Sequence, residues 1–299
     1  MLPAVKQLFA RTLPRLYTPR VKRVSKQLGL HGVFVSLYIK LLTAFTSLGY
    51  RFSSDTGILR VGGIEAEFHV DSRIEYDRVT TMIGEEAVLE AFVETVQHDD
   101  VVWDIGANVG TYAVVGALAA PDGTVVAFEP HPDNARRIDE NAALNDIENV
   151  QVERVALGDS DGTAHLHLHG DQSGGGQHSL VDEAEDAVEV DTARGASFVA
   201  DGGPAPNVLK IDVEGAELGV LDGMPELLAT DHCRVLFVEV HHEHGVSNDA
   251  VEGRLHAAGF ETTAIEERGG TTFLRATKQD AVDTSSPIPV ADSSDESAE

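Results

Sequence analysis

Val101-Val102-Trp103-Asp104-Ile105-Gly106-Ala107-Asn108-Val109-Gly110 is an apolar run that meets a carboxylate and then turns through glycine. From Thr111 the spacing becomes helical, so the stretch reads as strand, tight turn, helix. Glycines in such a turn let the backbone approach a ligand closely, and the helix N-terminus offers oriented amides. Working outward, the alternation continues with TVVAFE (124–129), a helix from Pro132, NVQVERVAL (149–157), NVLKID (207–212) and RVLFVEV (234–240). Short apolar strands separated by helical stretches predict right-handed βαβ units and a mostly parallel, doubly wound α/β sheet. The end reads FETTAIE, Gly269-Gly270, TTFLRAT, a hairpin that adds an antiparallel strand.

Upstream, residues 85–97 predict a helix burying Val88, Leu89, Phe92, Val93 and Val96, and 58–70 predict a hairpin about Gly62-Gly63. Residues 33–48 place Phe34, Leu37, Tyr38, Leu41, Phe45 and Leu48 on one helical face. That amphipathic stretch is too short and too polar on its other side for a spanning helix. After Lys278 the chain is acidic and aperiodic, the pattern of a disordered tail. Three segments are therefore expected: a basic helical extension (1–57), a catalytic domain (58–278) and an acidic tail (279–299).

Twenty-two basic residues face fifty acidic ones, for a formal net charge of −28. The charge is split, because the first sixty residues carry ten basic side chains and a single acid, Asp55. The acidic remainder repels nucleic-acid phosphates, so nucleic acid is not an expected partner. Acid-rich and lysine-poor composition suits a halophile's cytoplasm, where high salt screens self-repulsion. The single cysteine, Cys233, excludes an internal disulfide and a cysteine-rich zinc site. The basic extension could pack on its own domain or lie on an anionic membrane face through residues 1–50.

Glu129 stands nineteen residues after Gly110, at the end of the next strand, where an acid can bind two ribose hydroxyls. A dinucleotide fingerprint beginning at Gly106 would need glycine at 108 and 111, and the chain has Asn108 and Thr111. A ligand bearing a sulfonium and a carboxylate suits Asp104 and the turn amides better than a pyrophosphate does. Lys210 and Asp212 share a strand face that points to the rim of the same crevice, followed by Glu214. His241 ends the next strand, and His241, Asp212 and Glu214 are the candidate bases for deprotonating an alcohol. His165, His167 and His169 alternate as a polar strand face, and His242, His244, Glu239 and Glu243 flank His241. Alternate strand side chains stand too far apart for one tetrahedral zinc without a bend; the second group could recruit a divalent cation together with Asp212 but has no known ligand spacing, and the reading assigns no metal. The glycine-rich loop 170–179 is either a mobile cover or an idle surface segment.

Asp104-Ile105-Gly106-Ala107-Asn108-Val109-Gly110, Ala127-Phe128-Glu129-Pro130-His131-Pro132, Asn141 with Asn145, Ala156-Leu157-Gly158-Asp159, Leu209-Lys210-Ile211-Asp212-Val213-Glu214-Gly215-Ala216-Glu217 and Val238-Glu239-Val240-His241 resemble, in that order, the FkbM-type methyltransferases. The resemblance implies a class I, Rossmann-like seven-stranded sheet and S-adenosylmethionine as cofactor. The implied reaction is O-methylation of a sugar, glycan or lipid-linked saccharide hydroxyl by a cytoplasmic enzyme. Asp104, Gly106, Asn108, Gly110 and Glu129 then hold the cofactor, with Asp159 near the adenine edge. Lys210, Asp212, Glu214 and His241 form the catalytic set. One departure is Asp191-Thr192-Ala193, where the family commonly has Thr-Leu-Asp. The alternatives are a nicotinamide-dependent oxidoreductase and an inactive cofactor-binding adaptor recruited to membranes.

Overall fold

The computed structural model describes residues 50, 55–82, 85–168, 178–181, 187–268 and 270–278. The amphipathic stretch 33–48, the body of the glycine-rich loop, His169 and the acidic tail lie outside the described residues. In chain order the first elements are β1 (Thr56–Val61), β2 (Ile64–His69), α1 (Arg73–Thr81), α2 (Glu86–Thr95), β3 (Val101–Ile105), α3 (Thr111–Ala119), β4 (Thr124–Phe128), α4 (Pro132–Leu144) and β5 (Val150–Glu153). There follow β6 (Ala156–Leu157), β7 (Gly162–Leu168), β8 (His178–Val181), β9 (Ala187–Ala193), α5 (Gly195–Ala200) and β10 (Val208–Ile211). The last are α6 (Glu217–Asp222), α7 (Pro225–Leu228), β11 (Val235–His241), α8 (Asn248–Ala257), β12 (Phe260–Arg268) and β13 (Thr271–Lys278). Among the described residues no helix is long and apolar enough to cross a membrane.

The main sheet has seven strands in the order β12-β13-β11-β10-β3-β4-β5. Only β13 runs against the others, pairing antiparallel with both β11 and β12, so the expected terminal hairpin is present. Apolar packing covers both sheet faces. Phe92, Tyr112 and Phe237 anchor one side, and Trp103, Phe128, Leu209 and Leu236 the other. Each fully buried side chain of this size contributes about 1.5–3 kcal/mol. Cys233 belongs to this packing, and burial pushes its thiol up to about 12. The winding reverses between β3 and β10, and the carboxyl ends of those neighbouring strands open the crevice where open α/β sheets bind ligands.

One stretch departs from the expected single strand. Residues 149–157 are divided, because β5 ends at Glu153 and β6 joins a separate four-stranded sheet ordered β6-β9-β7-β8. The exposed Arg154 marks the break, and Ala156 is then buried with Leu166 and Val190 in the small core of this second sheet. Leu157 pairs with Ala193 at the parallel β6–β9 join.

The β1–β2 hairpin turns through Gly62 and Gly63, both at positive φ (53° and 84°), as a two-residue turn of this hand requires. Two asparagines fasten it to the domain. Asn145 Oδ1 accepts from the Glu67 amide at 2.7 Å, and its Nδ2 donates to the Glu67 carbonyl at 2.6 Å. Asn141 Oδ1 accepts from the His69 amide at 2.9 Å, while its Nδ2 donates to the Val109 carbonyl at 2.8 Å. Helix α1, not expected from the sequence, starts with a capping box in which Glu75 receives the Ser72 amide and Ser72 receives that of Glu75. The buried Arg137 of α4 ties it down through Glu75 and Asp71.

Candidate active site

The crevice begins at the turn after β3. Gly106 has φ +78°, and its amide and that of Ala107 both donate to the Phe128 carbonyl, at 3.0 and 3.1 Å. A Cβ at Gly106 would lie 1.9 Å from the Asp212 carbonyl oxygen, so this close approach of the β3 and β10 ends admits only glycine. Asn108 is also left-handed, at φ 53°. Its amide donates to Glu129 Oε2 at 2.8 Å, and the His131 amide donates to Glu129 Oε1 at the same distance. Burial pushes the Glu129 carboxyl up to about 7, against the pull of those two amides and of Asn134.

Gly106, Asn108, Glu129 and Asn134 line one part of a cavity whose apolar wall is Phe128, Val155, Ala156, Leu157 and Leu166. Its other rim carries Asp212, Val213 and Glu214. The second sheet therefore supplies part of the wall. Three expected cofactor residues stand outside this lining. Asp104 is buried in β3, raised to about 7 mainly by burial, and faces Lys210 across the strand pair. Gly110 (φ +84°) begins α3 where a Cβ would press on Ile138 at 3.0 Å, so its role is to seat α3 against α4. Asp159 is exposed and accepts from Ser160 Oγ at 3.0 Å, away from the cavity wall.

Beyond the Asp212 rim the acidic groups converge. Lys210 corrects the sequence expectation, for it does not reach the crevice rim. It is fully buried, because β10 is a central strand covered on both faces. Its Nζ lies 3.4 Å from Asp212 Oδ2 and 4.8 Å over the Tyr112 ring. Burial alone would push Lys210 down, but Asp212, Glu239, Glu85 and Asp104 hold its ammonium above the usual lysine range. Burial pushes Asp212 up in turn, and Lys210, His241 and Arg78 outweigh it to hold the carboxyl below its ordinary value.

His241, 4% exposed at the end of β11, joins this group. Its Nδ1 is 2.6 Å from Oε1 of Glu217, a fully buried acid that the sequence reading left without a role. Its Nε2 faces Asp212 Oδ1 at 3.8 Å, Glu214 Oε2 at 3.6 Å and Glu239 Oε1 at 3.6 Å. Burial lowers His241, but Glu217 and these three acids raise it to about 9. Glu214 and Glu239 are themselves raised, to about 7 and about 8, first by burial and then by neighbouring charge. His244 Nε2 reaches Glu214 at 3.5 Å, whereas His242 turns away to the Val246 carbonyl and Thr272. Glu217 belongs to the motif that carries the family resemblance and accepts from the Gly215 amide at 3.1 Å, but no local pattern pairs it with His241, twenty-four residues away.

The sheet order and the carboxylate-lined crevice at its switch point define a class I, Rossmann-like α/β fold. Residues 104–262 match the family described as Methyltransferase FkbM domain, and the chain belongs to that family. It is an S-adenosylmethionine-dependent methyltransferase, which replaces both the nicotinamide and the inactive-adaptor alternatives. The hexuronic acid methyltransferase AglP of Haloferax volcanii is similar, at 35% identity over 62% of this chain and 74% of the relative. The 31-O-demethyl-FK506 methyltransferase FkbM of Streptomyces tacrolimicus is 27% identical over 56% of this chain and 75% of the relative. Among solved structures, methyltransferase FkbM from Methylobacillus flagellatus aligns with a TM-score of 0.45 at 14% identity, covering 70% of this chain and 56% of that one.

Proposed function

We propose that the enzyme O-methylates a sugar hydroxyl, with a hexuronic acid or other saccharide as acceptor. The reading is carried by one juxtaposition: a cavity with Glu129 at one end and the Asp212–Glu214–His241 group at the other. It is supported by the likeness to AglP. The residues present fit the cofactor. Glu129 offers further carboxylate lone pairs to two ribose hydroxyls, and Val155, Ala156, Leu157 and Leu166 form an apolar slot for an adenine ring. Bound there, S-adenosylmethionine supplies an electrophilic methyl group. Asp212, Glu214 and His241 receive the acceptor hydroxyl, orient it and polarise its O–H bond. Lys210 works from below as a positioning residue that keeps Asp212 ionised. Incubation with S-adenosylmethionine and hexuronic acid-bearing glycans, read by mass spectrometry, should show the gain of one methylene. Absence of transfer to any saccharide would overturn the acceptor class.

Glu129→Ala is expected to weaken S-adenosylhomocysteine binding by about tenfold or more, since a hydrogen bond to a charged group is worth roughly 1.5–3 kcal/mol. Calorimetric titration of a variant that unfolds at the wild-type temperature checks this, and unchanged affinity would remove Glu129 from the cofactor site.

The basic residues 1–50 are proposed, on their charge and apolar stripe, to hold the enzyme on an anionic membrane beside a lipid-linked acceptor. In flotation with anionic liposomes at high salt, the full chain should rise and a chain beginning at residue 58 should not. Failure of the full chain to float would overturn the membrane assignment of residues 1–50.

A further inference from the structure

We propose that Asp212, Glu214 and His241 form a site for one divalent first-row metal ion, which takes the acceptor's hydroxyl oxygen as a further ligand. One oxygen of each carboxylate and one nitrogen of the imidazole all lie within 4.8 Å of one another. The separations from Nε2, 3.8 Å to Asp212 and 3.6 Å to Glu214, are too long for hydrogen bonds. They are close to the spacing of neighbouring ligands about one ion, since donors about 2.0–2.2 Å from a centre stand roughly 3.0–3.6 Å apart. The two distances from Nε2 therefore lie within a few tenths of an ångström of that range.

A second observation concerns how the imidazole is held. His241 is buried, and its Nδ1 is engaged by Glu217 at 2.6 Å, so the ring is fixed with Nε2 aimed into the gap, where the ion takes the place of the Nε2 proton. A histidine whose far nitrogen is engaged by a carboxylate is the arrangement that orients a metal ligand. Charge points the same way. The half-buried Asp212 and Glu214 and the buried Glu217 and Glu239 crowd one imidazole and the Lys210 ammonium, a local excess of acids that a bound cation would offset. Two carboxylates and one imidazole suit manganese(II) better than the all-oxygen shell magnesium prefers.

Asp212 and Glu214 also line the cofactor cavity, so the ion stands where acceptor oxygen and methyl group must meet. A metal-bound hydroxyl is both oriented and acidified. Its O–H bond breaks as the O–CH3 bond forms, and the methyl–sulfur bond breaks to leave a neutral thioether. The proton passes to Glu239, the nearby carboxylate outside the three-ligand set.

The acceptor's role here rests on the saccharide reading above, but the ion itself is testable without cofactor or acceptor. The full chain is titrated with manganese(II) in molar salt, where exposed acids are screened, and free metal is followed by electron paramagnetic resonance. One ion per chain is expected. His241→Ala and Glu214→Gln should each weaken binding by about tenfold or more, whereas the exposed neighbour Glu243→Gln should not change it. If His241→Ala does not fold, Glu214→Gln alone decides. A folded wild type that retains no manganese, or a Glu214→Gln variant that retains it equally, overturns the site. Because no sugar is present, either result leaves the acceptor reading standing, and failure to methylate any sugar leaves the ion standing.

Discussion

Asp212→Asn is expected to lower turnover by about a hundredfold or more while S-adenosylhomocysteine affinity stays within about threefold. Lys210, His241 and Arg78 hold the Asp212 carboxyl ionised at the cavity rim, where an amide of the same shape carries no charge. The substitution also leaves the buried Lys210 ammonium without its nearest counter-charge, at a penalty of about 3–5 kcal/mol if nothing else relaxes. Turnover and thermal unfolding must therefore be measured on the same sample. Adding Lys210→Met removes the uncompensated charge and should restore stability without restoring activity. Recovery of activity in the double variant would show that Asp212 acts only by balancing Lys210.

Gly106→Ala should destabilise the enzyme by about 3–5 kcal/mol, combining left-handed strain with an atom forced against backbone. The clash is with the Asp212 carbonyl, 1.9 Å from the added methyl, and neither strand end can retreat without opening the sheet. Gly63 provides the internal comparison. It has φ +84°, yet nothing lies within 4 Å of a Cβ there, so Gly63→Ala should lose only about 1 kcal/mol. Urea unfolding of the two variants separates strain from collision. Equal losses would mean that the β3 and β10 ends move apart readily.

The contrast between these glycines shows which parts of the molecule were legible beforehand. Strand β3, its turn, α3 and the Glu129 position follow from short-range pattern, because each is dictated by neighbours within one βα unit. The Gly62-Gly63 hairpin and the terminal one are legible for the same reason. The split between β5 and β6 is not, since NVQVERVAL reads as one strand and only its pairing with β9 shows that the chain changes sheets. The face that Lys210 shares with Asp212 points to the rim in sequence, but Lys210 lies below it, where Asp104 of β3, Glu239 of β11 and Glu85 before α2 join Asp212 around its ammonium. The pairings of Glu217 with His241 and of Asn141 with the His69 amide are not readable from sequence, because the partners are distant in it. Asp159 is exposed, two residues beyond the wall residues Ala156 and Leu157.

Asn108 and Glu214, the two non-glycine residues of the cavity wall held in the left-handed region, bear on how the enzyme can adapt to heat. Asparagine tolerates that conformation, but for glutamate at φ 47° it is a standing penalty of about 1–3 kcal/mol. Glycine at 214 would relieve it and would delete the rim carboxylate in the same step. Thermal endurance and chemistry are thus opposed at one backbone position, so hardier descendants of this enzyme must gain their margin elsewhere, in the hairpin, the second sheet or the surface.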